Sequence, residues 1–237
     1  MKLNIIHWAA LISVVPTVAN AVLNPGFAGT TESAAWYDLN RDNPLLSEAN
    51  GYNHNYQTPT LGWAQPLADM TGTTSATLDK ITGTDLYVAG GGLFSFSGDG
   101  TLFVSDASPI ANLQTILFQV DINNVVGTES FVSVPTLFLN GSTDPIAADF
   151  TDSISGGLSF AEDSTLFLFQ WDLSDAGPIS SYEIDWTTGA YYYNYEISVD
   201  TSDTAYTAMT VPEPQTYAMI AGFGVLCIAV IRKRHSK

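Results

Sequence analysis

Residues 22–210 predict an all-β fold, an antiparallel β-sandwich with a jelly-roll-like strand order, and three observations carry that prediction. Tyr191, Tyr193, Tyr195, Ile197 and Val199 alternate with Tyr192, Asn194, Glu196, Ser198 and Asp200, the period of two that a strand imposes. Runs of this kind recur between turns rich in Gly, Pro, Asn and Asp. No amphipathic helical pattern of about ten residues or more interrupts them. Many short strands with polar turns close into a sandwich, and an up-and-down barrel is the alternative for the same strands.

The elements follow in order. Residues 24–80 are irregular and rich in Asn, Thr, Tyr and Trp, which predicts loops wrapped around the sheets. Leu93 to Ser97 and Thr101 to Ser105 flank Gly98-Asp99-Gly100, a short turn signal that predicts a hairpin. Ile116, Phe118, Val120 and Ile122 alternate with Thr115, Leu117, Gln119 and Asp121, giving a two-faced strand. Phe131 to Leu139 contains Pro135, which lacks a ladder donor and marks an edge or a bulge. From Thr165 to Leu173, Phe167, Phe169, Trp171 and Leu173 share one face while Leu166 and Leu168 make the other apolar too. That strand is expected to be central and covered on both sides.

The two ends read as export signals. Lys2, the mostly apolar run Leu3 to Val18, and Ala19-Asn20-Ala21 form a signal peptide over residues 1–21, with Ala19 and Ala21 as the small residues of the cleavage site. At the other end stand Val211-Pro212-Glu213-Pro214, an uncharged apolar run from Tyr217 to Ile231, and the basic stop Arg232-Lys233-Arg234. That run predicts a single C-terminal transmembrane helix, somewhat short for a hydrocarbon core of about 30 Å, with the basic residues held on the cytoplasmic side. Pro212 and Pro214 fix φ and hold Glu213 in an extended strand beside the membrane.

This order of motif, span and basic tail over residues 211–237 resembles the PEP-CTERM sorting signal. The resemblance implies recognition of Pro212, Glu213 and Pro214 by exosortase, a membrane-embedded cysteine transpeptidase of Gram-negative bacteria whose substrates accompany exopolysaccharide. It implies a precursor in the inner membrane and a mature form at the cell surface or in the extracellular matrix, with signal peptidase and exosortase as processing partners. The LPxTG-like motif of a sortase signal is absent, and a glycolipid-anchor signal would end apolar.

Charge narrows the function. Residues 22–211 hold two bases, Arg41 and Lys80, and 23 of the chain's 24 acids, so with His54 neutral they carry −21 against −17 for the whole chain. Such a surface repels nucleic acid and anionic membranes. The only cysteine, Cys227, lies in the apolar span, so the exported part has no thiol nucleophile, disulfide or thiolate metal site. His54 is its only histidine, which removes a two-histidine metal centre.

Three candidate sites remain. Asp38, Asn40 and Asp42 have the alternate-residue oxygen spacing of a calcium loop, but Asn43 replaces the turn glycine and Ala49 replaces the bidentate acid, so calcium is the one cofactor considered and none is required. Glu183-Ile184-Asp185-Trp186 partially resembles the laminarinase-type motif of jelly-roll glycosidases, with Thr187 and Thr188 where a second Glu is needed. Trp36, Tyr37, Tyr52, Tyr56 and Trp63, set among amides and hydroxyls, could stack on sugar rings. The expectation is a non-enzymatic exported protein with a structural or adhesive role linked to polysaccharide. A lectin-like carbohydrate-binding module is the alternative, and a glycan hydrolase a third reading.

Overall fold

Alternation decides which side chains of each strand meet the core, and register decides which strands share it. The computed structural model describes residues 25–124, 130–155 and 164–207. The signal peptide with Ala19 and Ala21, and the tail with Pro212, Glu213, Pro214, the apolar span and Arg232, Lys233 and Arg234, lie outside the described residues. Among the described residues no helix is long and apolar enough to cross a membrane.

The described chain is all-β. Its strands are β1 (Thr31–Trp36), β2 (Leu67–Ala68), β3 (Thr77–Lys80), β4 (Tyr87–Val88), β5 (Leu93–Ser95), β6 (Gly100–Asp106), β7 (Thr115–Asn124), β8 (Phe131–Leu139), β9 (Phe150–Ser155), β10 (Ser164–Asp172), β11 (Tyr182–Thr188) and β12 (Tyr192–Ser202). Helix is confined to two single 3-10 turns, Pro44–Leu46 and Glu48–Asn50. One sheet runs β4-β5-β12-β7-β10-β9, with β1 beside the second half of β12. The other runs β2-β3-β6-β11-β8. The pairings within both are antiparallel.

The two sheets contribute to one hydrophobic core. Phe118 of β7 meets Trp186 of β11 with ring centroids 4.9 Å apart. Trp36, Trp171 and Trp186 are fully buried, and each indole N–H finds an acceptor. Trp36 donates to the carbonyls of Leu67 and Ala68 at 3.1 Å, Trp171 to that of Ile146 at 3.0 Å, and Trp186 to Asn194 Oδ1 at 3.1 Å. A buried indole left without an acceptor would forfeit about 1–3 kcal/mol, so these partners are part of the fold's stability.

Two expectations stand as predicted. The strand with Pro135 is an edge, the last of its sheet. The strand from Thr165 lies between β7 and β9, and its second apolar face is buried where Leu166 and Leu168 cluster with Leu117.

Three others are corrected. Gly98-Asp99-Gly100 does not close a hairpin, because β5 and β6 belong to different sheets. The buried Asp85 carboxylate accepts from Phe96 N, Ser97 N and Ser97 Oγ, while Asp85 N donates to Asp99 O, and this holds the chain in a sheet-to-sheet crossing. The alternation along 191–200 is broken by a bulge between Asn194 and Glu196, so Tyr193 and Tyr195 face outward while Ile197 and Val199 pack in the core. Residues 24–80 supply three strands as well as loops.

Two charged side chains tie the loops down. Asp69 accepts from Ala35 N, Thr71 N, Thr73 N and Thr74 N at 2.9–3.1 Å and from Thr71 Oγ1 at 2.6 Å. Burial pushes against its charge, but hydrogen bonds from Thr71, Ala35 and Thr73 outweigh it and hold the carboxyl below its ordinary value. Lys80 is buried and donates to the carbonyls of Pro59 and Leu86, which fastens the long loop to the end of β3. Burial pushes its ammonium down to about 8, with the nearby Asp85 charge opposing.

Candidate functional site

The register that places Asn194 and Ser95 inward turns their neighbours outward. Tyr87 of β4, Phe94 of β5 and Tyr193 of β12 stand opposite one another across three strands. Phe94 stacks on Tyr193 with centroids 4.2 Å apart at 27°, and Tyr87 meets Phe94 edge-on at 5.9 Å. Tyr195 continues the row, 5.6 Å from Tyr193 and nearly parallel to it at 6°. Phe96 extends it the other way, 6.2 Å from Phe94, with Tyr191 and Tyr56 edge-on against it at 6.1 and 5.8 Å.

Seven rings thus form one connected platform on the outer face of one sheet. Tyr56, Phe96 and Tyr191 are 54%, 40% and 42% exposed, while Phe94 is a buried floor at 8%. An exposed, contiguous aromatic surface in a strongly acidic protein is the feature that most needs an explanation.

The platform is rigid for identifiable reasons. Beneath it, Trp186 donates to Asn194, and the Ser95 and Thr188 hydroxyls lie 3.3 Å apart, coupling β12 and β5 to the opposite sheet. Beside it, Gly90-Gly91-Gly92 forms a backbone bed. A β-carbon at Gly91 would stand 3.3 Å from Tyr193, and one at Gly92 would meet the Asn194 carbonyl at 2.7 Å and Tyr195 at 3.2 Å. The Tyr195 phenol is hydrogen-bonded to the Asn123 carboxamide. Burial, reinforced by neighbouring charge, raises the phenols of Tyr87 and Tyr195, so both stay protonated and able to donate. Tyr191 sits at φ +71°, a left-handed conformation costly for a residue with a β-carbon. Strain held at an exposed ring marks a position whose side chain matters beyond folding.

Chemically, such a surface offers flat apolar faces ringed by hydroxyl and amide groups. It contains no nucleophile with an adjacent base.

The chain matches no family model, no curated protein and no solved structure.

Of the five aromatics singled out in the sequence, only Tyr56 belongs to the platform. Trp36 and Tyr52 are buried at 0% and 3%, and Trp63 packs against Tyr52 at 5.2 Å with its indole N–H buried and without an acceptor. Tyr37 lies elsewhere, in a concavity of about 380 Å3 that it shares with Asp38, Asn40 and Asp42. There Asn40 Oδ1 already accepts from Asp42 N at 2.9 Å and Asn43 Oδ1 from Leu45 N at 3.0 Å, so two carboxamide oxygens cap backbone turns. Among the described residues no three carboxylate, histidine or cysteine side chains converge on a metal-sized space.

Glu183 and Asp185 do share a face, as alternate residues of β11. Burial first, then the Glu183 charge and a hydrogen bond from that side chain, push Asp185 up to about 6. Asp185 Oδ1 is buried without a hydrogen-bond partner, and no second Glu stands at Thr187 or Thr188 to complete a glycosidase pair.

The remaining platform residues, Tyr87, Phe94, Phe96, Tyr191, Tyr193 and Tyr195, were legible in part. The dense tyrosines of 191–195 are a local sequence signal, but the triple glycine at 90–92 lies far upstream and meets them only through the fold.

Proposed function

We propose that this is an exported, non-enzymatic cell-surface or matrix protein that holds polysaccharide on its aromatic platform. The connected platform of seven rings carries this reading. Pyranose rings present flat C–H faces that dock on aromatic rings, while their hydroxyls need donors and acceptors of the kind Tyr and Asn supply. A pre-formed platform loses little conformational entropy on binding.

The strand order supports a jelly-roll-like sandwich as the scaffold. Successive elements β5 to β8 alternate between sheets in the order β5, β6, β7, β8, and the last strand returns beside β5. The bridge of Leu137 to Ile146 keeps the connection after β8 on its own sheet before the chain crosses to β9, which pairs with β10 in the other sheet.

Tyr191→Gly tests the platform without breaking the fold. Glycine accepts the left-handed backbone, which offsets the lost ring contact, so stability should stay within about 0.5 kcal/mol. Binding to matrix polysaccharide, read by affinity electrophoresis of the full chain in detergent, should weaken about fivefold to tenfold. Unchanged retardation in the polysaccharide gel would count against the platform.

Export and exosortase processing rest on the two chain ends. Intact-mass measurement of protein released from the cell surface should show a species lacking Arg232 to Lys237. A surface form that keeps those residues would rule the processing out.

A further inference from the structure

Arg41 stands out once the platform is drawn. Lys80, the other base of the described chain, is buried, whereas Arg41 is exposed. Residues 22–211 carry 23 acids, yet among the described residues no carboxylate forms an ion pair with Arg41. Its position is fixed instead by backbone, since Arg41 N donates to Ala89 O at 2.9 Å.

Its guanidinium lies on the same glycine bed as the rings. A β-carbon at Gly90 would stand 3.4 Å from both Nε and Nη2 of Arg41, so the guanidinium lies in van der Waals reach of the Gly90 backbone. Gly90, Gly91 and Gly92 therefore carry Arg41, Tyr193 and Tyr195 in sequence. The Arg41 charge also reaches Tyr87 at the other side of the row. A planar cation with free donors, close to the glycine run beside the rings and to Tyr87, matches a sugar whose ring stacks while a carboxylate enters the fork.

The geometry points to Arg41 as the specificity-determining residue of the platform, pairing with the carboxylate of a uronic acid carried in an otherwise neutral polysaccharide. This rests on the platform reading. The sparse charge follows from the surrounding electrostatics. One exposed cation in a domain of −21 can hold one carboxylate, but a chain charged at every residue would be repelled by the rest of the surface.

The test uses the full chain in detergent and three probes: neutral xylohexaose, the same oligosaccharide bearing a single glucuronic acid, and a hexamer of mannuronic acid. Titration calorimetry should show the singly charged probe binding on the order of tenfold more tightly than the neutral one. The fully charged hexamer should bind more weakly than the singly charged probe. Arg41→Gln should erase the tenfold preference, read as the ratio of the charged to the neutral affinity within that variant, and Arg41→Lys should restore only part of it, because an ammonium lacks the two-pronged geometry. Equal wild-type affinity for neutral and singly charged probes, or a preference that survives Arg41→Gln, overturns the Arg41 assignment alone. Tightest binding to the fully charged hexamer overturns the single-carboxylate inference. Wild-type binding to none of the three removes the platform reading and this inference with it.

Discussion

Trp186→Ala is expected to lower the unfolding free energy by about 3–5 kcal/mol, a large share of what a domain of this size possesses. The side chain is 1% exposed, packs on Phe118 across the sheet interface, and donates its only N–H to Asn194. Truncation opens a cavity between the sheets and leaves the Asn194 side-chain oxygen Oδ1 without the Trp186 donor. Trp186→Phe separates the two effects, because it keeps most of the ring and loses only the donor, and it should cost about 1–2 kcal/mol. Chemical denaturation of both variants measures this. The substitution should also loosen the platform, since Asn194 lies between Tyr193 and Tyr195 on β12. A Trp186→Ala protein within about 1 kcal/mol of wild type would mean that the sheets are not held together at this contact.

The second large effect is an inverted response to acid. Burial pushes Asp200 up to about 6, although Ser33 Oγ at 2.5 Å and Gln119 Nε2 at 3.2 Å both donate to it and oppose the shift. Asp185 is also pushed up to about 6, by burial and by Glu183. The ordinary value for both is 3.8, so the folded state takes up these protons before the unfolded state does. Their contribution to stability is complete below that ordinary value and is lost as pH rises through about 6. Acidification from neutral towards pH 4 should therefore stabilise the protein, where most proteins lose stability. Below that, the depressed carboxyl of Asp69 works in the other direction, and protonating it releases the loop that it organises. Asp200→Asn should raise stability at neutral pH by about 2 kcal/mol and shrink the gain between pH 6 and 4 to the share that Asp185 supplies. The amide still accepts from Ser33, and Gln119 can turn its carbonyl towards the new donor. Melting temperatures across pH would decide the matter: a steady decline on acidification, or no gain from Asp200→Asn at pH 7, contradicts the burial account.

The fold was readable where local pattern and tertiary role coincide. The two-faced run from Thr115, the doubly apolar run from Thr165 and the edge marked by Pro135 are each dictated by residues within one strand. Gly98-Asp99-Gly100 misleads because turn chemistry reports that the chain bends, not which sheet each flanking strand joins. There the Asp85 carboxylate, more than ten residues upstream, settles the question. The bulge at Tyr195 is equally silent, since one inserted residue leaves composition and apparent period almost untouched. The site was hardest of all. Its rings come from residues 56 to 195 and meet only through cross-strand register, whereas the aromatic cluster conspicuous in the sequence, 36 to 63, mostly fills the interior.

The bulge has a further consequence for how such a protein can change. It separates two sets of side chains read by different partners, with Tyr191, Tyr193 and Tyr195 answering to whatever lies outside and Ile197 and Val199, beyond the bulge, answering to the interior. Because the shift of face occurs between them, substitutions at those three tyrosines need no compensating change at Ile197 or Val199. Ring chemistry at Tyr191, Tyr193 and Tyr195 can drift from one surface partner to another while the scaffold stays intact, so lineages sharing this backbone could diverge in what they adhere to long before they diverge in shape.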